Sequence, residues 1–369
     1  MLKNNLVNLF VVMFCLAVLY ACAPSSDITD ASLLETKTNV AFEAKLERAL
    51  QSIRAEQMPA IVAYSHHNGD VQVVEFGALE NDGIPADETQ IDINSVTKTV
   101  TGVMAAKLVE QGQVSFTERL DKIFDNVPAD KASITLHHLL THSAGLIEVV
   151  GDDEERLGKA EFLDRAFNSE LMSEPGSIYS YSNVGYSVVA AIIEERSGKS
   201  YDAFLQEDVI AGLGLPNTGY LSVYDDARSM KTANGETIFD ASWGGHEPYW
   251  NLIGNGGLVS TVQEMVKFRR AVVSGEIISS ETLEILQTPH IKEDDAATSF
   301  YGYGLVVQDY PELGRFYWHN GGNNVFSAQW GDYEDKGDIL FTAGADSEDG
   351  NAFRAMETLE HHLYLDGDK

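Results

Sequence analysis

Three short stretches of this 369-residue chain carry side chains that could act together on a substrate. The first is Asn94-Ser95-Val96-Thr97-Lys98, which opens a run (Thr101, Gly102, Val103, Met104, Ala105, Ala106) that is small or apolar on nearly every side and reads as a buried helix. Residues three apart on a helix share a face, about 5–6 Å apart at Cβ, so Lys98 stands beside Ser95. A serine at a helix start has its own amide and the positive end of the helix dipole next to it, which suits an anionic tetrahedral intermediate. A lysine in that low-dielectric setting loses proton affinity and can serve as a base. The same residues also fit a serine cap followed by a solvated lysine. The second stretch, 174–183, is a turn-rich loop that puts Tyr181 and Asn183 just before a helical run. The third, Trp318-His319-Asn320-Gly321-Gly322, ends a strand with glycines that let another backbone come close. Taken singly, Tyr181 fits a core tyrosine and His319 a hydrogen-bonded structural histidine.

Other patterns compete less well. Thr141-His142-Ser143-Ala144-Gly145 resembles a degraded nucleophile elbow, but the leading glycine is missing and residues 136–140 read as helix rather than strand. His138 and His142 have the i, i+4 spacing of a helical metal pair without matching further ligands, so no metal is expected. Residues 254–257 share only glycine content with a phosphate loop. His66, His67, His361 and His362 read as solvated loop and terminus residues, and Trp243, Tyr249, Trp250, Tyr301, Tyr303 and Trp318 fit either a cleft lining or the core.

The elements that must hold these stretches have a split order. Residues 39–57 have the spacing of an amphipathic helix, and 61–65 and 71–79 read as strands joined by a hairpin at His67-Asn68-Gly69-Asp70. Short strands are expected at 302–308, 314–319, 325–331 and 339–344, then a helix over 351–363. Between the two ends the periodicity is mostly helical: 96–111, 136–141, 159–167, 184–197, 201–209 and 261–273. This order predicts an α/β fold of the α+β type, with an antiparallel sheet built from both chain ends, flanked by helices, and a large inserted helical region.

Ser95-x-x-Lys98, Tyr181-Ser182-Asn183 and His319-Asn320-Gly321, in that order, resemble the three signatures of the serine β-lactamase-related hydrolases: class C β-lactamases, DD-peptidases, D-aminopeptidases and related esterases. The stretches 138–146 and 256–261 look like the same family, and the resemblance covers nearly all of the chain after its leader. It implies a β-lactamase/penicillin-binding-protein-like domain in which Ser95 is acylated and Lys98 and Tyr181 share the acid–base work. It further implies that Asn183 bonds substrate and Lys98, that His319, Gly321 and Gly322 also bind substrate, and that the Ser95 and Gly322 amides form an oxyanion hole. Class C β-lactamases carry lysine where this chain has His319. A mostly neutral imidazole is a weaker partner for a substrate carboxylate, so an esterase or peptidase is expected rather than a β-lactamase. Asn351-x-x-Arg354 resembles a carboxylate-contacting pair of the class C enzymes.

With 25 Lys+Arg against 57 Asp+Glu, the formal net charge of −32 excludes a nucleic-acid partner. Both cysteines, Cys15 and Cys22, lie in the first 22 residues, so the body has no disulfide or thiolate site. Lys3, an apolar run over 6–21 and Leu19-Tyr20-Ala21-Cys22 resemble a bacterial lipoprotein leader. The expected organisation is a signal peptide over 1–21, a lipidated Cys22 and polar tether over 22–38, and a hydrolase domain over 39–369, its sheet part 39–94 and 291–369 and its helical part 95–290. The reading is a serine hydrolase of the cell envelope, lipid-anchored or secreted, acting through a Ser95 acyl-enzyme on a small-molecule or peptide substrate without a cofactor. The alternative is a catalytically silent envelope binding protein on the same fold.

Overall fold

In a computed structural model the described residues are 30–67, 69–76, 83–345 and 350–366, with side chains from residue 40 onward. The expected signal peptide, Cys22 and the first part of the tether lie outside them. The chain divides into two units, Met1–Ala44 and Lys45–Lys369. The described part of the first is helical: α1 runs Asp30–Ala55, beginning inside the stretch expected to be a tether. The Ala, Leu, Glu and Lys content there favours helix and outweighs its polarity.

In the second unit an antiparallel sheet of eight strands takes the order β2-β1-β10-β9-β8-β7-β6-β5. The strands are β1 (Ala60–Ser65), β2 (Gln72–Phe76), β5 (Ile291–Lys292), β6 (Phe300–Tyr301), β7 (Val306–Tyr310), β8 (Gly314–Gly322), β9 (Phe326–Tyr333) and β10 (Asp338–Ala345). The first strand thus pairs with the last, Ala60 opposite Gly344 and Ser65 opposite Ile339. Strands β1 and β10 are buried along their whole length, which requires cover on both faces and explains why they are mostly apolar. The sequence-based sheet is present with β5 and β6 added. One difference matters for the site. The strand β3 (Ile91–Asp92), just before Ser95, pairs with β4 (Val259–Ser260) in a separate two-stranded ribbon rather than joining the main sheet.

The inserted region holds α2 (Thr97–Glu110), α3 (Leu136–Leu140), α4 (Lys159–Asn168), α5 (Asn183–Ser197), α6 (Tyr201–Phe204), α7 (Ile238–Ala241), α8 (Val262–Val273) and α9 (Ser280–Leu286), and α10 (Asn351–Glu360) follows the sheet. Helix α2 is buried on nearly all sides from Thr97 to Ala106, as its composition predicts, and packs on α5. Helices α8 and α10 pack on β1 and β10, and α10 also on β9. His66 is not the solvated residue expected, since its Nδ1 sits 2.5 Å from the buried Asp338 Oδ1.

Candidate active site

Ser95 occupies a single 3₁₀ turn, Asn94–Val96, that leads into α2. The turn needs a left-handed residue at its start, and Asn94 supplies φ +48°, a conformation asparagine tolerates better than most residues. The Asn94 N–H donates to Asp92 Oδ1 (2.7 Å), and its side-chain amide donates to the carbonyls of Asp92 and of Phe326 on β9, both at 3.3 Å. The turn that carries Ser95 is therefore tied to the sheet before the helix begins.

Lys98 is fully buried, with Nζ 3.1 Å from Ser95 Oγ. It also donates to the Asn255 carbonyl at 2.7 Å, and it lies 4.8 Å from the centre of the Tyr181 ring. Burial pushes its amine well below the usual lysine value, while Asp153 and Glu148 pull weakly the other way. The Tyr181 phenol moves oppositely: burial raises it, a hydrogen bond with Ser95 pulls it back, and Glu148 and Glu293 add to the rise. Of the two groups expected to share the acid–base work, burial thus favours the neutral form of both, easing proton loss from the amine and hindering it from the phenol.

Asn183 begins α5, where Ser182 Oγ caps the helix by accepting the Gly185 N–H at 3.0 Å. Its Oδ1 is buried and has no hydrogen-bond partner. The place expected for it beside the lysine is taken by the Asn255 carbonyl. His319 is turned inward and only 4% exposed. Its Nδ1 donates to the Asn320 carbonyl (2.6 Å), which leaves Nε2 to accept the Tyr301 hydroxyl (2.9 Å). Burial lowers its pKa to about 3, with nearby Lys98 adding to the shift. The ring is neutral, and neither nitrogen is spare for a substrate. Gly321 has a steric reason to be glycine, because a Cβ there would lie 2.4 Å from the Ser95 amide nitrogen. Gly322 is exposed at the strand end.

A cleft of about 170 Å³ opens at Ser95, and Asp92, Asp153, Glu154, Asn183 and Gly322 help to line it. Burial raises Asp92 to about 6 against hydrogen bonds from Ser242 and Asn94, and it raises Asp153 against the pull of Lys98. Among the described residues lining this cleft there is no lysine or arginine. Arg354 does not reach it: the side chain is paired with Glu56 at 2.6 Å and is nearly half exposed.

Ser143 is buried and shares a hydrogen bond with Thr141 (2.8 Å), far from the role of an elbow nucleophile. His138 Nδ1 accepts the Thr135 N–H at the start of α3, and His142 Nδ1 accepts the Ser182 N–H. Among the described residues no group of three or more His, Cys, Asp or Glu could hold a metal. Trp243, Tyr301 and Tyr303 fill the core. Asn255, Asp153 and the ring of His142 join the site without having been singled out for it, and Tyr301, which fitted either a cleft lining or the core, meets it through His319. Only the glycines at 254–257 hinted at Asn255, since Gly254 and Gly257 have φ +82° and +68° and bend the chain so that the carbonyl between them meets Lys98.

The sequence matches the Beta-lactamase family over residues 44–353. Penicillin-binding protein 4* of Bacillus subtilis is 24% identical over 330 residues, which cover 82% of this chain and 70% of that protein. Other curated relatives, among them the D-alanyl-D-alanine-carboxypeptidase/endopeptidase AmpH of Escherichia coli, are matched over about half their length. The octameric penicillin-binding protein homologue from Pyrococcus abyssi superposes with a TM-score of 0.70 at 26% identity, covering 87% of this chain and 77% of that one. A β-lactamase/D-alanine carboxypeptidase from Pseudomonas syringae gives a TM-score of 0.73 at 16% identity, covering 88% and 98%, a likeness of fold alone.

Proposed function

The chain belongs to the beta-lactamase family, and on that footing we propose that it is a serine hydrolase that acylates Ser95 and transfers the acyl group to water. The observation that carries this reading is the buried Lys98 amine 3.1 Å from Ser95 Oγ. An amine pressed toward neutrality can take the serine proton as Oγ attacks an ester or amide carbonyl. The Tyr181 phenol, still protonated, gives a proton to the leaving group and regains one from the Lys98 ammonium. Water then enters by the same steps in reverse. The Ser95 amide and that of Gly322 are the donors proposed for the oxyanion, in a role where losing one donor commonly costs about 3–4 kcal/mol.

Three carboxylates at the cleft, a neutral and engaged His319, and an Arg354 held by Glu56 all disfavour a substrate with a carboxylate near the scissile bond. Uncharged esters and amides are the proposed substrates, ahead of β-lactams. The protein is proposed to work in the cell envelope, held by a lipid on Cys22.

Purified protein treated with a fluorophosphonate probe should gain one adduct by intact mass, on the Ser95 peptide, and Ser95→Ala should gain none. The same preparation should give a higher kcat/KM on p-nitrophenyl acetate than on a chromogenic cephalosporin. An adduct on Ser143 would overturn the assignment of the nucleophile, and no adduct at all would favour the silent binding protein.

A further inference from the structure

We propose that His142 is the positioning residue for Tyr181, clasping the backbone on both sides of it so that the phenol is held against Ser95 and Lys98. The inference rests on the reading of Ser95, Lys98 and Tyr181 as the reacting groups.

The clasp has two points. The His142 carbonyl accepts the Ser180 N–H at 2.7 Å, and the His142 ring Nδ1 accepts the Ser182 N–H at 3.0 Å. Tyr181 is the single residue between these two donors. The ring also lies against the residue it brackets, its centre 4.3 Å from that of Tyr181 with 32° between the planes. The rings of Tyr301 (4.6 Å) and Tyr186 (5.0 Å) also pack against the His142 ring.

Two features of His142 work against stability and are absent from an ordinary packing residue. Its backbone is left-handed, φ +54°, which a residue with a Cβ adopts only under constraint. Its Nε2 is buried with no hydrogen-bond partner, an arrangement that an apolar side chain of similar size would avoid. What such a side chain could not do is accept the Ser182 N–H. That acceptor exists only on the neutral ring, and burial, with Lys98 and His319 nearby, keeps the ring well below its usual pKa. Ser182 in turn fixes the next element, since its Oγ donates to the Ile147 carbonyl and accepts the Gly185 N–H that starts α5. The phenol is thus placed by a chain of contacts that begins at one imidazole nitrogen.

Two variants separate positioning from packing. In His142→Asn the side-chain oxygen stands where Nδ1 stood, and asparagine accepts a left-handed backbone. In His142→Leu the space is filled but nothing accepts the Ser182 N–H. With p-nitrophenyl acetate, the leucine variant should lose about 10–100-fold in kcat with KM within about twofold, as expected for a misplaced acid–base group. The asparagine variant should keep kcat within about threefold of the parent, although it forfeits the ring stack and melts lower. The rate of fluorophosphonate labelling of Ser95 should follow kcat in both. Equal losses in the two variants, or a leucine variant near parental kcat, would overturn the proposal. Should the leucine variant not fold, the asparagine variant decides alone, and a tenfold fall in its kcat overturns it. A parent that does not label on Ser95 would sink the serine-hydrolase reading itself. Labelling of the parent with two indistinguishable variants would sink only the clasp.

Discussion

At the scale of single residues the site is governed by what burial does to each titrating group. Lys98 is driven toward the neutral amine, Tyr181 toward the neutral phenol, and His319 to a pKa of about 3. His319 also makes stability depend on pH. An unfolded chain protonates the ring below about 6.5, whereas the folded one keeps it neutral. The contribution is complete above pH 6.5 and is lost as the pH falls toward 3. At pH 5 the loss is about 2 kcal/mol for this ring. Asp92, raised to about 6, acts in the opposite sense, because the folded chain binds its proton more readily between pH 6 and the ordinary carboxylate value. Comparing His319→Gln with the parent removes that and other background. The fall in melting temperature from pH 7 to pH 5 should be smaller in the variant, and identical falls would mean that the ring takes up a proton freely in the folded protein. The contact of Lys98 with Ser95 was legible in the sequence from their i, i+3 spacing at a helix start, whereas Tyr181 stood out only through the resemblance of Tyr181-Ser182-Asn183 to a family signature. The Asn255 carbonyl was not legible, since every residue has one, and the closure of His319 against Tyr301 depends on strands meeting across a sheet.

Among the elements, β8 packs closely against the turn that carries Ser95. Its glycine pair gives a contrast within one strand. At Gly321 an added methyl would strike the Ser95 amide nitrogen at 2.4 Å, whereas at Gly322 the nearest atom is a Phe353 ring carbon at 3.5 Å. Gly321→Ala should therefore push the strand from the helix start, lowering the melting temperature and cutting kcat/KM on p-nitrophenyl acetate by about 100-fold if one oxyanion donor is displaced. Gly322→Ala should stay within a few-fold of the parent on both measures. Equal behaviour of the two variants would mean that β8 does not set the position of Ser95. The sheet could be read from the sequence because β1 and β10 are mostly apolar, and α2 because it is small or apolar on nearly every side. Two-residue strands such as β3 and β5 carry no periodicity to read. Strand β8 also runs on through Gly322, beyond the expected end at His319, because its glycines pair with Ala328 and Ser327 of β9.

For the whole molecule the dominant property is a net charge of −32. Such a body is repelled by anionic lipid headgroups, so a membrane location would have to rest on the lipid alone. Among the described residues no helix is long and apolar enough to cross a membrane. Expressed at full length in a bacterium, the parent should sediment with membranes and Cys22→Ser should not, at low salt as at high. A Cys22→Ser protein that still sediments would remove Cys22 as the anchor. The sheet order has a further consequence for how the protein comes into being. Strand β1 pairs with β10, and the backbone that faces Ser95 belongs to β8, so the first and last parts of the chain must meet before either is at home. Pairing across so long a loop is slow and comes late in folding. During synthesis Ser95 emerges long before β8 exists, and a growing chain cannot close the cleft around that serine until its end has been made.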